Sequence, residues 1–65
     1  MFLRFDALDG EIVVFNDTIE ISYEDNSHIY GTDYDDNYYV INKLTGAVFK
    51  NKVKIANHCS YQIYC

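Results

Sequence analysis

Residues 2–16 read FLRFDALDGEIVVFN, and their pattern indicates the class of structure more clearly than any other part of the chain. Apolar and polar side chains alternate along it, as expected for a half-buried β-strand and not for a helix. Asp9-Gly10 interrupts the alternation with a dipeptide that suits the positive φ angles of a tight hairpin turn. The stretch therefore predicts a β-hairpin with strands 2–8 and 11–16, joined by a turn at Asp9-Gly10.

A third strand, 18–24, follows if Asn16-Asp17 forms a second turn. The alternation favours the resulting three-stranded meander. One long strand over 11–24 with a bulge at 16–17 is the alternative. In the meander, one face collects the apolar residues and would form the core: Leu3, Phe5, Ala7, Ile12, Val14, Ile19, Ile21 and Tyr23.

The remainder of the chain also alternates, except for residues 25–37. That segment is rich in Asp and Asn and has no apolar period, so it is predicted to be a long loop with room for one short helical turn. Strands are predicted over 38–43, 47–56 and 60–64, and the last is expected to pair with the one before it. The predicted fold class is all-β: a single small antiparallel sheet or partly open barrel of about five or six short strands.

The size and composition are those of one small domain spanning residues 1–65. Hydrophobic residues make up 49% of the chain and aromatic residues 17%, which is enough to build a core. No apolar run approaches the roughly 18 residues of a membrane helix, and the first residues lack the features of a signal peptide. Because there are only two cysteines, we expect an intracellular, cytoplasmic protein with reduced thiols. The acidic net charge and the lack of an apolar span argue against a membrane partner.

The charges are segregated along the sequence. All ten acidic residues lie in the first 36 positions, whereas the five cations are Arg4 and four lysines between 43 and 54. The net charge of −5 disfavours direct binding to nucleic acid and favours a basic protein partner. In the meander, Asp6, Val13 and Glu20 would share one cross-strand row on an acidic outer face.

Three interpretations of this charge pattern remain open. The acids can form a solvated face that maintains solubility. Lys50, Lys52 and Lys54 alternate on one predicted strand, so they can neutralise the acids across the sheet. Alternatively, the acids and nearby aromatic residues form a surface that docks on a positively charged groove. The partner-binding residues predicted by this third interpretation are Asp6, Glu11, Phe15, Glu20, Glu24, Tyr30, Asp33, Tyr34, Asp35 and Asp36.

No motif indicates catalysis, a cofactor or a metal site. The acids within 25–36 lack the spacing and the terminal glutamate of an EF-hand loop. The two histidines and two cysteines match no common zinc pattern, and nothing indicates an electropositive environment that would activate a thiol. We therefore expect a protein that is not an enzyme and has no cofactor. The three lysines could instead mark an oligonucleotide-binding strand, although the net charge argues against it.

In size, acidity, aromatic content and lack of catalytic motifs, the chain resembles small acidic phage-encoded inhibitors of the anti-restriction and anti-CRISPR type. The resemblance implies a stoichiometric inhibitor that acts in the host cytoplasm. Its carboxylates would mimic DNA phosphates in the nucleic-acid-binding groove of a host defence enzyme. The residues themselves also allow an alternative from another class: a small structural or assembly protein that pairs with another subunit, or with a second copy, through an open sheet edge.

Overall fold

A computed structural model describes the whole chain, residues 1–65, and contains seven β-strands and no helix. The strands are β1 (Phe2–Asp9), β2 (Ile12–Glu24), β3 (His28–Thr32), β4 (Tyr38–Asn42), β5 (Val48–Lys50), β6 (Val53–Ala56) and β7 (His58–Tyr64). They form one antiparallel sheet that curls into a half-barrel. The predicted all-β fold is confirmed, but the sheet has seven strands rather than five or six. The structure offers no helix that could cross a membrane.

The order of the strands across the sheet is β6-β5-β4-β3-β2-β1-β7. Strands β6 and β7 are joined by Asn57 alone, yet they form the two opposite edges of the sheet. The expected pairing of the last two strands is therefore wrong. Strand β7 pairs along its full length with β1, from Phe2 opposite Tyr64 to Leu8 opposite His58. This pairing gives β7 a seven-residue partner, whereas β6 spans only four residues.

The first hairpin turns one residue later than predicted. Asp9 pairs with Ile12, so the two turn residues are Gly10 and Glu11 rather than Asp9 and Gly10. Gly10 is the first of these two central residues, and its φ is 62°. A two-residue turn of the II′ type requires glycine there, so this conformation competes with the I′ turn that Asp-Gly favours.

Strand β2 is a single 13-residue strand, so the predicted meander is wrong and the alternative of one long strand is confirmed. Asn16 and Asp17 continue the strand opposite Asp6 and Phe5. The bulge lies at Val14, not at 16–17, because Ala7 pairs with Phe15 while the next residue of β1 pairs with Val13. An extra residue in one strand inverts the facing of the residues beyond it.

The uninterrupted strand and two bulges explain which core predictions fail. Phe15 keeps the inward facing of Ile19 because no turn lies between them, and Val14 is the bulged residue. A second bulge between Ile21 and Tyr23 pairs Tyr23 with Tyr30 on the outer face. Leu3, Phe5, Ala7 and Ile19 are fully or almost fully buried, as predicted, and Ile21 is partly buried against them. Three other predicted core residues are exposed: Ile12, Val14 and Tyr23. Phe15, expected on the outer face, instead packs against the core. The buried cluster consists of Leu3, Phe5, Ala7, Ile19, Ile29, Tyr39, Ile41, Val48 and Cys59, and it defines the inner face of the sheet.

Residues 25–37 are not one long loop, and they contain no helical turn. Strand β3 occupies the middle of the segment and buries Ile29 completely. The Asp25 carboxylate makes the preceding turn by accepting hydrogen bonds from the backbone N–H groups of Ser27 (2.8 Å) and His28 (2.7 Å). These bonds lower the pKa of Asp25. Asp and Asn residues therefore mark the two ends of a short strand here, although their density indicates a loop.

Candidate protein-docking surface

One cross-strand row on the outer face runs over five strands at the end of the sheet where β1 begins. Its members are directly opposite one another in successive strand pairs: Tyr64, Phe2, Glu20, Thr32 and Tyr38. Their chain neighbours Leu3, Ile19 and Tyr39 are buried, so alternation points the row away from the core. Phe2, Tyr38 and Tyr64 are each about 40% exposed, with Glu20 between them. The row therefore combines one exposed carboxylate with three aromatic rings.

The connection between β3 and β4, residues 33–37, lies beside this row and is held by Asp33. The Asp33 Oδ1 atom accepts the backbone N–H groups of Asp35 and Asn37, each at 2.9 Å. Its Oδ2 atom accepts the Asn37 side-chain amide and the Tyr39 hydroxyl, each at 3.0 Å. Burial acts to raise the pKa of Asp33, but these hydrogen bonds outweigh it and lower the pKa to about 2. Asp33 was predicted to contact a partner, and the structure places its carboxylate within its own loop.

A second contact fixes the same loop from the turn between β5 and β6. The Asn51 amide donates to the Asn37 Oδ1 atom at 3.0 Å, and the Asn51 Oδ1 atom accepts the backbone N–H of Tyr38 at 2.9 Å. The backbone N–H of Asn51 donates to the Tyr38 carbonyl at 2.7 Å. Asn51 has a φ of 51°, in the left-handed region that asparagine tolerates better than most residues. The loop is thus held by the Asp33 carboxylate at its beginning and by the Asn51 side chain at its end.

The anchored loop displays three side chains to solvent. Tyr34 is 96% exposed, and Asp35 and Asp36 are also exposed. A shallow pocket of about 70 Å³ separates the loop from the row, and its lining residues are Phe2, Thr18, Glu20, Thr32, Asp33 and Tyr34. The loop and the row therefore form one continuous area, which we call the acidic–aromatic surface: Phe2, Glu20, Tyr34, Asp35, Asp36 and Tyr38.

Beneath this surface, two carboxylates converge on one buried phenol. The Tyr39 hydroxyl lies 3.0 Å from Asp17 Oδ2 and 3.0 Å from Asp33 Oδ2. Burial raises the pKa of Tyr39, and its hydrogen bonds to the two carboxylates raise it further. The phenol therefore remains a donor, and it ties β2, β4 and the 33–37 loop together. No group of three or more His, Cys, Asp or Glu side chains is arranged to hold a metal ion.

Asp17 and Tyr39 were not predicted as site residues. The alternation of Tyr38 and Tyr39 correctly predicts that one of them is buried, and that residue is Tyr39. Asp17 faces the core side only because β2 continues through it opposite Phe5. A predicted turn at that position hid its role, and the correct strand register was the signal needed to find it.

The other predicted partner-binding residues lie away from the acidic–aromatic surface. Asp6 is opposite Asn16, so the expected row of Asp6, Val13 and Glu20 does not exist. Glu11 is in the turn at the far end of the β1–β2 hairpin. Glu24 forms an ion pair with Lys43.

Two predicted aromatic anchors also lie elsewhere. Phe15 is on the inner face, 6.0 Å from Phe5 between ring centroids. Tyr30 is on the outer face, where its ring packs against Tyr23 at 5.6 Å. The surface therefore gathers Glu20, Tyr34, Asp35 and Asp36 from the predicted set, with Asp33 supporting them.

The lysines do not form the predicted stripe. Lys50 lies on the inner face with its Nζ atom 5.0 Å from the centroid of the Phe15 ring. Lys52 is in the β5–β6 turn with a φ of 69°, and Lys54 is opposite Phe49 on the outer face. The Lys43–Glu24 contact is the one ion pair in the molecule, so Glu20, Asp35 and Asp36 have no cationic partner.

The chain matches no protein-family model, and no curated protein or solved structure is significantly similar to it.

Proposed function

We propose that this chain is a small acidic protein-binding module that docks through its acidic–aromatic surface on the positively charged, nucleic-acid-binding surface of a protein partner. The observation that supports the proposal most directly is the anchored 33–37 loop. It holds Asp35, Asp36 and Tyr34 in solvent beside an exposed Glu20, and none of these carboxylates forms an ion pair within the chain.

Pre-organisation is the first argument for docking. An interface formed by a mobile loop loses affinity because its side chains and backbone must be ordered on binding. Here the ordering is already provided by the hydrogen bonds that the Asp33 carboxylate accepts from Asn37 and Tyr39, and by the contact of the Asn51 amide with Asn37. A loop that served only solubility would need no such anchoring.

The composition of the surface is the second argument. Aromatic residues supply most of the binding energy in many protein interfaces, and unpaired charges guide encounter with an oppositely charged partner. Phe2, Tyr34 and Tyr38 offer exposed apolar area, and Glu20, Asp35 and Asp36 supply the charge. Carboxylates so placed would take the positions of nucleic-acid phosphates on a basic groove.

This mode of binding would make the chain a stoichiometric inhibitor that competes with nucleic acid for the partner. Its resemblance in general character to small acidic phage-encoded inhibitors suggests a host defence enzyme as the class of target. Such an inhibitor has no chemical step of its own, so it acts only as long as it occupies the groove.

The test compares two variants that remove two negative charges each. Asp35→Asn with Asp36→Asn neutralises the anchored loop, and Asp9→Asn with Glu11→Gln neutralises the distant β1–β2 turn. Each protein is immobilised and used to capture partners from an extract of the source cell. Bound proteins are then released with rising NaCl or with duplex DNA.

We expect the wild-type chain and the Asp9/Glu11 variant to retain the same nucleic-acid-binding protein, and both NaCl and DNA to release it. The Asp35/Asp36 variant should retain it about tenfold less well, because the loss is local to the docking surface. Equal retention by both variants would show that only net charge matters. A captured protein that DNA does not displace would contradict competition for the groove.

A further inference from the structure

The strand β7 forms an edge of the sheet that is not blocked in the usual ways. On one side it pairs with β1, and on the other side no strand pairs with it. The β4–β5 turn approaches only its beginning, where a Cβ added at Gly46 would lie 3.2 Å from the backbone nitrogen of Cys59. From Ser60 to Tyr64 every residue is exposed.

The register of the sheet identifies the backbone groups that this edge leaves free. Ile21 donates its N–H to the carbonyl of Met1, so odd-numbered residues of β1 direct their backbone groups towards β2. Even-numbered residues of β1 therefore bond to β7, and these are opposite the even-numbered residues of β7. The N–H and C=O groups of Tyr61 and Ile63 consequently point outward, and no other backbone or side-chain group of the chain bonds to them.

The two edges of the sheet differ in how they are protected. Strand β6 has four residues and carries Lys54, and short edges with lysine resist pairing with other chains. Strand β7 has seven residues, and residues 55–65 include no Asp, Glu, Lys or Arg. In a chain with a net charge of −5, β7 is the edge on which two copies can meet without placing like charges opposite each other.

We propose that two copies of this chain associate by antiparallel pairing of their β7 strands about a two-fold axis at Gln62. In this register Tyr61 of each copy is opposite Ile63 of the other, and both pairs use the outward backbone groups. Each such pair exchanges two hydrogen bonds, so the central pairing adds about four. The half-barrels of the two copies are thereby joined into one continuous sheet.

The side chains fit this register on both faces. Opposite residues of an antiparallel pair share a face, so Tyr61 packs against Ile63 of the other copy on the inner side, an aromatic–aliphatic pair of a favourable kind. On the outer side the two Gln62 amides face each other, and each can donate to and accept from the other. Tyr61 and Ile63 are 36% and 38% exposed in the single chain, and this pairing covers them.

The occupant we infer is a second copy rather than a strand from an unrelated protein, because both the hydrogen-bonding pattern and the side chains complement themselves about Gln62. A two-fold interface presents the same patch from both subunits and must be self-complementary. The dimer surface is a sheet edge, and the acidic–aromatic surface is centred on the outer face. The two assignments share only Tyr64, which ends the outer row on β7, so each can fail without the other.

The test is a charge exchange at Gln62, which is exposed and at a pair whose side chains approach most closely. The full chain is studied under reducing conditions by sedimentation equilibrium from micromolar to millimolar concentrations. We expect wild type to dimerise reversibly. Arg4 is opposite residue 62 within the same chain. Gln62→Lys should therefore raise the dimer dissociation constant about tenfold or more, Gln62→Glu should raise it less, and an equimolar mixture of the two should restore dimers. Asn26→Glu and Asn26→Lys, which introduce the same charges at an exposed position in the turn between β2 and β3, should leave dimerisation unchanged.

The register is tested separately by disulfide formation in a Cys65→Ser background. Gln62→Cys should form a covalent dimer on mild oxidation, because the two cysteines face each other. Ser60→Cys should not, because it faces Tyr64 of the other copy.

In the sedimentation experiment, a wild-type chain that stays monomeric from micromolar to millimolar concentration would overturn the proposal, as would a mixture of the charged Gln62 variants that fails to dimerise. Cross-linking at residue 60 but not at residue 62 would overturn the register.

Discussion

At the residue scale, Tyr39 joins the core to the candidate surface. Its ring packs against Phe5 and Phe15 with centroid distances of 5.6 and 6.4 Å, and its hydroxyl reaches the carboxylates of Asp17 and Asp33. The sequence predicts the burial of one tyrosine from the pair Tyr38-Tyr39, because neighbours in a strand face opposite sides. It cannot predict the partners, because Asp17 lies 22 residues away along the chain.

Replacing Tyr39 with Phe isolates the role of the hydroxyl. The ring and its packing remain, but two carboxylates lose their shared donor in a partly buried setting. We expect Tyr39→Phe to lower the free energy of unfolding in urea by about 1–2 kcal/mol. The matched control is Tyr38→Phe, whose hydroxyl lies on the outer face and should cost little. Equal effects of the two substitutions would contradict the structural role of the Tyr39 hydroxyl.

The Asp33 carboxylate makes stability depend on pH in a defined window. Its pKa is lowered from the ordinary value of 3.8 to about 2, so the folded state favours the ionised form. The stabilisation is present above the ordinary pKa and is lost as the pH falls from 3.8 towards 2. The urea midpoint of wild type should fall through this window, and Asp33→Asn should be less stable at neutral pH with a shallower fall. Parallel pH curves for the two proteins would exclude Asp33 as the source.

At the scale of elements, the bulge at Val14 separates what the sequence predicts from what it does not. Alternation alone correctly places Leu3, Phe5 and Ala7 on the core side of β1. One extra residue in β2 then reverses the facing of Ile12 and Val13 relative to Phe15 and the rest of the strand. A bulge leaves no mark in a hydrophobic pattern when apolar residues stand on both sides of it, as in the run Ile12 to Phe15. The outer acidic row failed for another reason: β2 continues through Asn16 and Asp17 without a turn, so Glu20 lies opposite Phe2 and not beside Val13.

Deleting single residues from β2 tests the position of the bulge. Removing Val14, which has no partner in β1, should leave the pairs on both sides intact, so the protein should fold with little loss of stability. Removing Asn16 instead moves Phe15 to the outer face and Val14 into its place. That change should cost about 2 kcal/mol or more, because the contacts of Phe15 with Phe5 and Tyr39 are lost. Urea unfolding distinguishes the two, and greater damage from deleting Val14 would contradict the assigned bulge.

At the scale of the whole molecule, the segregation of charge along the sequence becomes an uneven distribution in space. The acids at Glu20, Asp35 and Asp36 come together because β3 returns the chain beside β2 and ends at the loop that holds two of them. The lysines are dispersed between the inner face, a turn and the outer face. The sequence separation of opposite charges therefore predicts an acidic surface, and the structure brings three of the ten acids together. The positions of the lysines depend on the short β5–β6 hairpin, whose turn and bulge the pattern does not reveal.

The same distribution predicts how salt affects stability. The molecule measures 28 × 26 × 23 Å and has one ion pair against a net charge of −5, so repulsion among unpaired carboxylates outweighs attraction. The Debye length falls from about 30 Å at 0.01 M ionic strength to about 10 Å at 0.1 M, which is enough to screen charges across the molecule. The thermal midpoint should therefore rise with NaCl over this range. It should rise less for the Asp35→Asn, Asp36→Asn variant, which lacks two of the repelling charges. A midpoint that falls with salt would show that attractive pairs dominate instead.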